Sequence, residues 1–567
     1  MNKISAALKK LRAKPLLVAF CMNVVVLSIC LFLGNGKYSS LDDYFMSSVL
    51  TGAYGGEYDV HLYFINVVYG YFLKPFYIFF PTIGWYAIFE LAVVCASFTA
   101  ISYVIIKRFE NMLGFAVIAL LLTCVSIDVY MNTAFTQCAG VATAASLLLF
   151  AFGNTDKKRS YLFFSGLFMI AGITFRKDMF LLGMPTLAAI LFFSFIREKT
   201  IWKWSLFALV LFAITYIGLE KFNSNHYQKD GYDYYAAYQG PRAYFGDGAF
   251  YDADAFVAEL YERGMNGRDF RYLRSWYFYD NNVFSLDSMN NLVKIADRSR
   301  YKPNYIKMPF AVMRAISDTL LRGSVWCWCF LCLTLIFFSN RKNWYIPWSS
   351  LFLITIPYAY LLIVNRVVPH VETGIWAYAV IFAIFFIDKR SILENHGARY
   401  FFRIVPLICI ASLVITGSFI AFDIISKREP KTKSISVADW ESFLEYARER
   451  PNDVFLLPFG RYKELATHIG YAYSAIPPGS WSNLFSSGYW NIHLPAINRE
   501  LEKRGVNNLI KDVVNKNVYV VADESALSLS PYYSDHYHEK LRIDTLKRFG
   551  NMELLKYRRE EYEDAKH

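Results

Sequence analysis

Residues 15–33 read PLLVAFCMNVVVLSICLFL, a run without a single charge, and Lys3, Lys9, Lys10, Arg12 and Lys14 stand directly before it. As a helix rising about 1.5 Å per residue, such a run matches the roughly 30 Å apolar core of a bilayer. It is too long for a signal-peptide core and has no small-residue cleavage site, so it reads as an uncleaved first span with its basic flank in the cytoplasm.

The pattern continues along the chain. Apolar runs at 84–106, 112–130, 136–153, 160–175, 179–196, 202–219, 323–339, 343–364, 373–388 and 401–422 bring the expected total to about eleven spans. Threaded in this order, the clusters Lys107-Arg108, Lys157-Lys158-Arg159, Arg197 with Lys199, Arg341-Lys342 and Lys389-Arg390 all fall on the cytoplasmic side, as the positive-inside bias requires. Leu62 to Phe80 is apolar enough to span, but counting it would turn every later cluster outward. It is therefore read as an amphipathic helix in the outer interface.

Composition agrees with a membrane chain: 55% of the 567 residues are apolar, 19% are charged and 18% are aromatic, and the mean hydropathy is +0.26. A soluble chain of this length carries more charge. The net charge of +12 is spent in short clusters between spans, which argues for membrane orientation and against nucleic acid. All nine cysteines, Cys21, Cys30, Cys95, Cys124, Cys138, Cys327, Cys329, Cys332 and Cys409, lie in apolar stretches, so no disulfide framework is expected. Cys327, Cys329 and Cys332 are close enough for a metal site, but their apolar surroundings offer no polar support for one.

The expected architecture is an α-helical polytopic domain over 1–423, with a first outer loop at 35–83 and a large outer loop at 220–322, followed by an extracytoplasmic α/β domain over 424–567. In that last domain Val454–Leu457, Val518–Val521 and Leu554–Tyr557 read as strands, and Trp440–Arg448 and Ala496–Lys503 as helices. Lys427-Arg428-Glu429-Pro430-Lys431 reads as its linker. The large loop reads as short helices and turns rich in Tyr, Asp and Gly.

The first outer loop carries the most chemistry: Leu41-Asp42-Asp43-Tyr44-Phe45, then Gly52-Ala53-Tyr54-Gly55-Gly56, His61, Asn66, Gly70, Pro81 and Trp85-Tyr86. A carboxylate held at the membrane surface can accept the proton of a hydroxyl attacking an activated carbon, and its neighbour can orient it, bind the acceptor or help hold a divalent cation. The plainer reading is that Ser39 or Ser40 caps a helix whose first turn carries both acids.

Asp42-Asp43-Tyr44-Phe45-Met46, the glycine-rich turn, His61-Leu62-Tyr63-Phe64-Ile65-Asn66 with Gly70, Leu73-Lys74 and Trp85-Tyr86 together resemble a bacterial family of the GT-C superfamily of membrane glycosyltransferases. The resemblance covers the membrane half in topology and residues 42–86 in detail. It implies an inverting transfer of a sugar from a polyprenyl-phosphate donor to an envelope polysaccharide or glycolipid, with Asp42 and Asp43 matching the acidic motif and one of them acting as base.

A phosphate donor needs cations at the outer interface. Arg176-Lys177-Asp178 lies between the fifth and sixth spans, and Asn365-Arg366, His370 and Glu372 follow the ninth. Arginine offers phosphate a planar pair of donors, lysine a mobile charge and histidine a proton for the leaving group. Interfacial pairing of Arg176 with Asp178 and of Arg366 with Glu372 is the competing reading. In the large loop Tyr234, Tyr235, Tyr238, Arg242, Tyr244 and Asp247 suit stacking against sugar rings or packing of the loop itself. His61, Tyr238 and Arg242 join Arg176, Lys177, Arg366 and His370 as candidate substrate contacts. Asp535-His536-Tyr537-His538-Glu539 matches no compact zinc spacing, so no metal-ligand set is assigned, and the lipid-linked sugar donor and a divalent cation at the acidic pair are the groups left open.

No Walker loop, dinucleotide fingerprint or Gly-x-Ser-x-Gly elbow occurs, which removes support for ATP-driven transport and serine-esterase chemistry. No Asn-x-Ser/Thr acceptor occurs either, in keeping with a bacterial plasma membrane. A flippase for lipid-linked saccharide, or a non-catalytic envelope assembly protein on the same scaffold, remains the alternative.

Overall fold

The computed structural model describes residues 14–560 apart from 35, 110–111, 200, 248–250, 301–304, 321–322, 338–344, 365, 388–396 and 429–434. Of the sequence features above, Lys3, Lys9, Lys10, Arg12, Arg341-Lys342, Asn365, Lys389-Arg390 and most of the linker at 427–431 lie outside the described residues.

Eight described helices are long and apolar enough to cross a membrane, or nine if the bent pair Arg159–Leu182 and Met184–Glu198 counts as one span. The described residues of the stretches expected to span are helical apart from their ends and the break at Gly183, but the helix around 323–339 contributes only the short apolar segment Trp326–Ile336 by the same test. Leu62–Phe80 does not form one long helix. Its first residues are irregular, Asn66 caps Val68 through its side chain at 3.1 Å, and helix follows only over Val67–Phe79. Thirteen residues reach about 20 Å, short of a bilayer core.

Burial sorts the helices by position. Pro15–Leu33 leaves Leu16, Leu17, Phe20, Val25 and Phe32 exposed, as a peripheral helix facing apolar surroundings does. Phe135–Thr155 is instead buried along nearly its whole length. Its small residues explain how: Ala139, Gly140, Ala142, Thr143, Ala144 and Ala145 let neighbours approach backbone to backbone. A Cβ at Gly140 would stand 2.9 Å from the Cα of Gly374 in the helix Pro369–Phe386.

This central helix also identifies the two ends of the bundle. Near its start Thr136 accepts a hydrogen bond from Arg176 at 2.8 Å. Beyond its other end Asp156 shares a cavity with Lys107, Arg108, Lys158, Tyr161 and Arg197. The bent pair therefore runs out and back: it leaves from Lys158 and Tyr161, turns near Arg176, where the backbone departs from helical geometry, and returns to Arg197. Lys107, Arg108, Lys158 and Arg197, expected on one side, gather at that one end of the bundle.

The C-terminal domain sits at the other end. Its five-stranded sheet has the order β2-β1-β3-β5-β4, with β1 Val454–Leu457, β2 Leu484–Ser486, β3 Val518–Val521, β4 Leu541–Phe549 and β5 Met552–Arg559. Strands β2, β1 and β3 are parallel, while β5 and β4 return antiparallel. The parallel centre is buried on both faces, as β1 shows with four buried residues in succession. The first loop anchors the domain: Gly479 N donates to Gly52 O at 2.9 Å, Trp481 N to Ala53 O at 2.7 Å and Gly84 N to Tyr473 O at 3.0 Å. Gly84 is required there, since a Cβ would meet the Ala472 carbonyl oxygen at 2.1 Å. The large loop forms helices Tyr232–Gly246, Ala253–Tyr261, Gly267–Arg274 and Leu286–Arg298, which pack beside the sheet domain.

Candidate active site between bundle and sheet domain

Asp42 and Asp43 occupy the first turn of the helix Leu41–Leu50, and Ser40 caps it by accepting from Asp42 N at 3.1 Å. The plainer reading of the sequence thus holds for the backbone. The two carboxylates, however, are committed elsewhere. Asp42 Oδ1 accepts from the Tyr489 hydroxyl and from Trp490 Nε1 at 3.0 Å. Asp43 is fully buried, and its Oδ1 accepts from the Tyr86 hydroxyl at 2.7 Å and Phe135 N at 3.3 Å.

Tyr489 and Trp490 come from the carboxyl end of β2, the edge of a parallel sheet where ligand sites form in open α/β folds. They reach Asp42 because the chain after β2 lies tight against the large loop. Phe278 N donates to Ser487 O at 3.1 Å, and a Cβ at Gly488 would come within 2.2 Å of the Trp276 carbonyl oxygen. Phe459 then stacks on Tyr489 at 5.3 Å, and Tyr63 on Trp490 at 4.9 Å.

Trp490 also lines a cavity of about 530 Å³ with Arg176, Lys177, Asp178, Glu220, Gln239 and Arg366, at the end of the bundle where the sheet domain sits. Two of the cations have close carboxylate partners: Lys177 pairs with Glu220 and Arg366 with Asp247. Among the described residues the one ion pair of Arg176 is with Asp178, at 3.9 Å, beside its bond to Thr136. The expected partnership of Arg366 with Glu372 does not form. Glu372 is buried in the bundle, where Thr319 and Tyr358 donate to it. His370 lies near enough to interact electrostatically with both Asp42 and Arg176.

Other candidates stand apart from this cavity. His61 binds Asp59 through Nδ1 at 2.8 Å and stacks on Tyr232 at 3.6 Å, tying the first loop to the large one. Tyr238 is buried, donates to Phe284 O at 2.8 Å and packs edge-on against His493. Tyr235 is buried as well, and Tyr244 donates to Asp297 at 2.8 Å. These tyrosines pack the loop. Arg242 is fully buried behind Trp490, between that indole and Trp276. Its Nε donates to Gln239 at 2.7 Å, whereas Nη1 and Nη2 find no hydrogen-bond partner among the described residues.

Electrostatics separate the two aspartates. Burial pushes the Asp42 carboxyl above its ordinary range, opposed by the Tyr489 hydrogen bond, the Arg176 charge and the Trp490 hydrogen bond. Burial raises Asp43 too, against the Tyr86 hydrogen bond, and the Asp42 charge adds to the rise. Glu90, a buried carboxyl on the helix Trp85–Arg108, interacts with Asp43, and Asp43 Oδ2 and Glu90 Oε1 have no hydrogen-bond donor among the described residues. Two buried carboxyls in one site disfavour each other's ionisation. Asp42 is left as the group able to take a proton: among the described residues no donor reaches its Oδ2.

Among the described residues no three His, Cys, Asp or Glu side chains are grouped to hold a metal ion. The acidic pair does not fit a divalent cation, because Asp43 turns inward to Tyr86 and Glu90 while Asp42 turns to Tyr489 and Trp490. The C-terminal His-rich segment is equally committed, with His536 on Asp269 at 2.6 Å and Asp535 on Arg268.

Tyr489, Trp490, Gln239 and Glu90 carried no functional signal in the sequence. No protein-family model, curated protein or solved structure matches the chain.

Proposed function

We propose that the chain is an inverting membrane glycosyltransferase of GT-C type, crossing a bacterial plasma membrane about eleven times with the sheet domain outside. In this reading the 530 Å³ cavity takes the phosphate and sugar of a polyprenyl-phosphate donor, and the acceptor is an envelope polysaccharide or glycolipid. The single observation that carries it is the position of Trp490, whose ring lines the cavity with Arg176, Lys177 and Arg366 while its Nε1 holds Asp42.

Asp42 takes the proton of the acceptor hydroxyl as its oxygen bonds to the anomeric carbon from the face opposite the phosphate. The anomeric carbon–oxygen bond to phosphate breaks, and the electron pair leaves with polyprenyl phosphate. Arg176 stabilises the charge that develops there. Asp43, buried and held by the Tyr86 hydroxyl and Phe135 N, positions the helix that carries the base.

The test is the envelope glycan profile of a host carrying the native protein, Asp42→Asn or Asp43→Asn at matched membrane abundance. Loss of one glycosyl modification with Asp42→Asn, accompanied by accumulation of its lipid-linked donor, is expected. An unchanged profile in both variants, when deletion of the whole protein alters it, would refute transferase chemistry and favour transport or scaffolding.

A further inference from the structure

The far end of the bundle holds a second cavity, of about 340 Å³, lined by Lys107, Arg108, Lys158 and Arg197 together with Val104, Phe152, Tyr161 and Asp156. Four cations face one carboxylate. They arrive from the end of Trp85–Arg108, the turn before Arg159 and the end of Met184–Glu198, so the fold rather than the local sequence brings them together. The bias that orients membrane helices accounts for cations at one end of a bundle, but not for their arrangement around a common void.

Aromatic rings set the walls. Tyr103 and Tyr161 meet edge-on at 6.2 Å, with Lys107 over the first at 5.3 Å and Lys158 over the second at 5.5 Å. Arg108 lies over Phe152 at 5.1 Å and donates to Phe385 O and Ile387 O. Among the described residues no ion pair joins Asp156 to Lys107, Lys158 or Arg197, so the carboxylate does not neutralise them by contact.

The neighbourhood indicates which anion fits. Phe163 and Phe164 beside Tyr161, and Phe195 and Ile196 beside Arg197, are all 45% exposed or more. These side chains belong to helices that cross the bundle, so the cations are bordered by an apolar apron, with Trp204 under the Arg159 guanidinium at 4.0 Å. A free phosphate has no use for the apron. A phospholipid uses both parts, its phosphate in the cationic cavity and its acyl chains along the phenylalanines.

We propose that this cavity binds the phosphate headgroup of an anionic membrane phospholipid. The site is separate from the chemistry at the sheet-domain end and stands whether or not the chain transfers sugar.

The experiment uses full-length protein in detergent, native mass spectrometry, and added dioleoyl phosphatidylglycerol or dioleoyl phosphatidylcholine. Wild type is expected to retain one phosphatidylglycerol in preference to phosphatidylcholine. The triple variant Lys107→Ala, Lys158→Ala, Arg197→Gln is expected to lose that retention at least tenfold, while Lys203→Ala, a cation at the same end outside the cavity, keeps it. Equal retention by wild type and triple variant, at equal thermal stability, would overturn the proposal. So would equal retention of the two lipids. Displacement of phosphatidylglycerol by millimolar inorganic phosphate would assign the cavity to a soluble phosphate and overturn the lipid assignment. A triple variant that fails to fold is replaced by the three single variants, each expected to weaken retention in part; three singles that all match wild type would overturn the proposal as well.

Discussion

The guanidinium carbon of Arg242 lies 3.5 Å from the centre of the Trp490 ring, which places a fully buried cation directly behind the indole that holds Asp42. Burial lowers its pKa to about 10, against the pull of Asp247 and the surrounding tyrosines. The group thus remains charged at neutral pH, with Nη1 and Nη2 without a hydrogen-bond partner among the described residues. A buried cation left in that state costs several kcal/mol, of which the indole face returns about 2.

Arg242→Met keeps most of the volume and removes the charge. Its melting temperature is expected to equal or exceed that of the native protein, while the proposed glycosyl transfer, assayed in isolated membranes, falls at least tenfold. A variant that loses stability and activity in step would show that the arginine serves packing alone.

Trp490→Phe keeps a ring against Arg242 and Tyr63 but deletes the donor to Asp42. Hydrogen bonds to charged groups contribute about 1.5–3 kcal/mol, which corresponds to a rate loss of roughly 10- to 100-fold. The loss is expected in the turnover number, with donor affinity changed less than threefold. A wild-type turnover number in this variant would remove Trp490 from the reaction.

How much of this was legible beforehand depends on the range of the signal. The spans and their basic ends are written locally, in hydropathy and charge, and the helices fall where those runs predict. So are β1 and β3, whose apolar residues are contiguous, and the Leu554–Tyr557 stretch of β5, interrupted only by Lys556. Strand β2 has only three residues, and β4 is an edge strand whose Arg542, Asp544, Lys547 and Arg548 look like a solvated loop. The bonds from Tyr489 and Trp490 to Asp42 span more than 440 positions of sequence, and nothing near either end announces them. Arg242 was legible as a charged residue among tyrosines. The indoles that enclose it, from positions 276 and 490, were not.

The Asp43 carboxyl gives a pH dependence with a definite sign. Its folded pKa stands above the unfolded value of about 3.9 because of burial, so between those two values the folded protein binds more protons than the unfolded chain. The stability contributed by Asp43 is therefore complete below about pH 3.9 and is lost as pH rises through the folded pKa. Asp43→Asn resembles the neutral acid and escapes that loss. Thermal unfolding in detergent is expected to match wild type near the acid limit and to exceed it under alkaline conditions. A variant that loses ground to wild type as pH rises would mean that the carboxylate is stabilised on folding, and that burial does not set the sign of its shift.

The cations of the cavity are not equivalent, and their partners predict the order of their effects. Lys177 is engaged by Glu220 and Arg366 by Asp247, whereas Arg176 has a carboxylate no nearer than 3.9 Å and is oriented by Thr136. A phosphate entering the cavity must compete with Glu220 or Asp247 for the first two, but can add to the existing contacts of Arg176 without displacing a close ion pair. Under the proposed glycosyltransferase reading, Arg176→Ala is thus expected to raise the KM for polyprenyl-phosphate sugar at least tenfold, and Arg366→Ala by less than fivefold. Arg176→Lys restores the charge without the planar pair of donors and should recover only part of the loss. Initial rates against donor concentration in reconstituted vesicles measure all three. If Arg366→Ala proves the more damaging, the Arg366–Asp247 pair opens to receive the donor, and the phosphate sits on the large-loop side of the cavity instead of against Arg176.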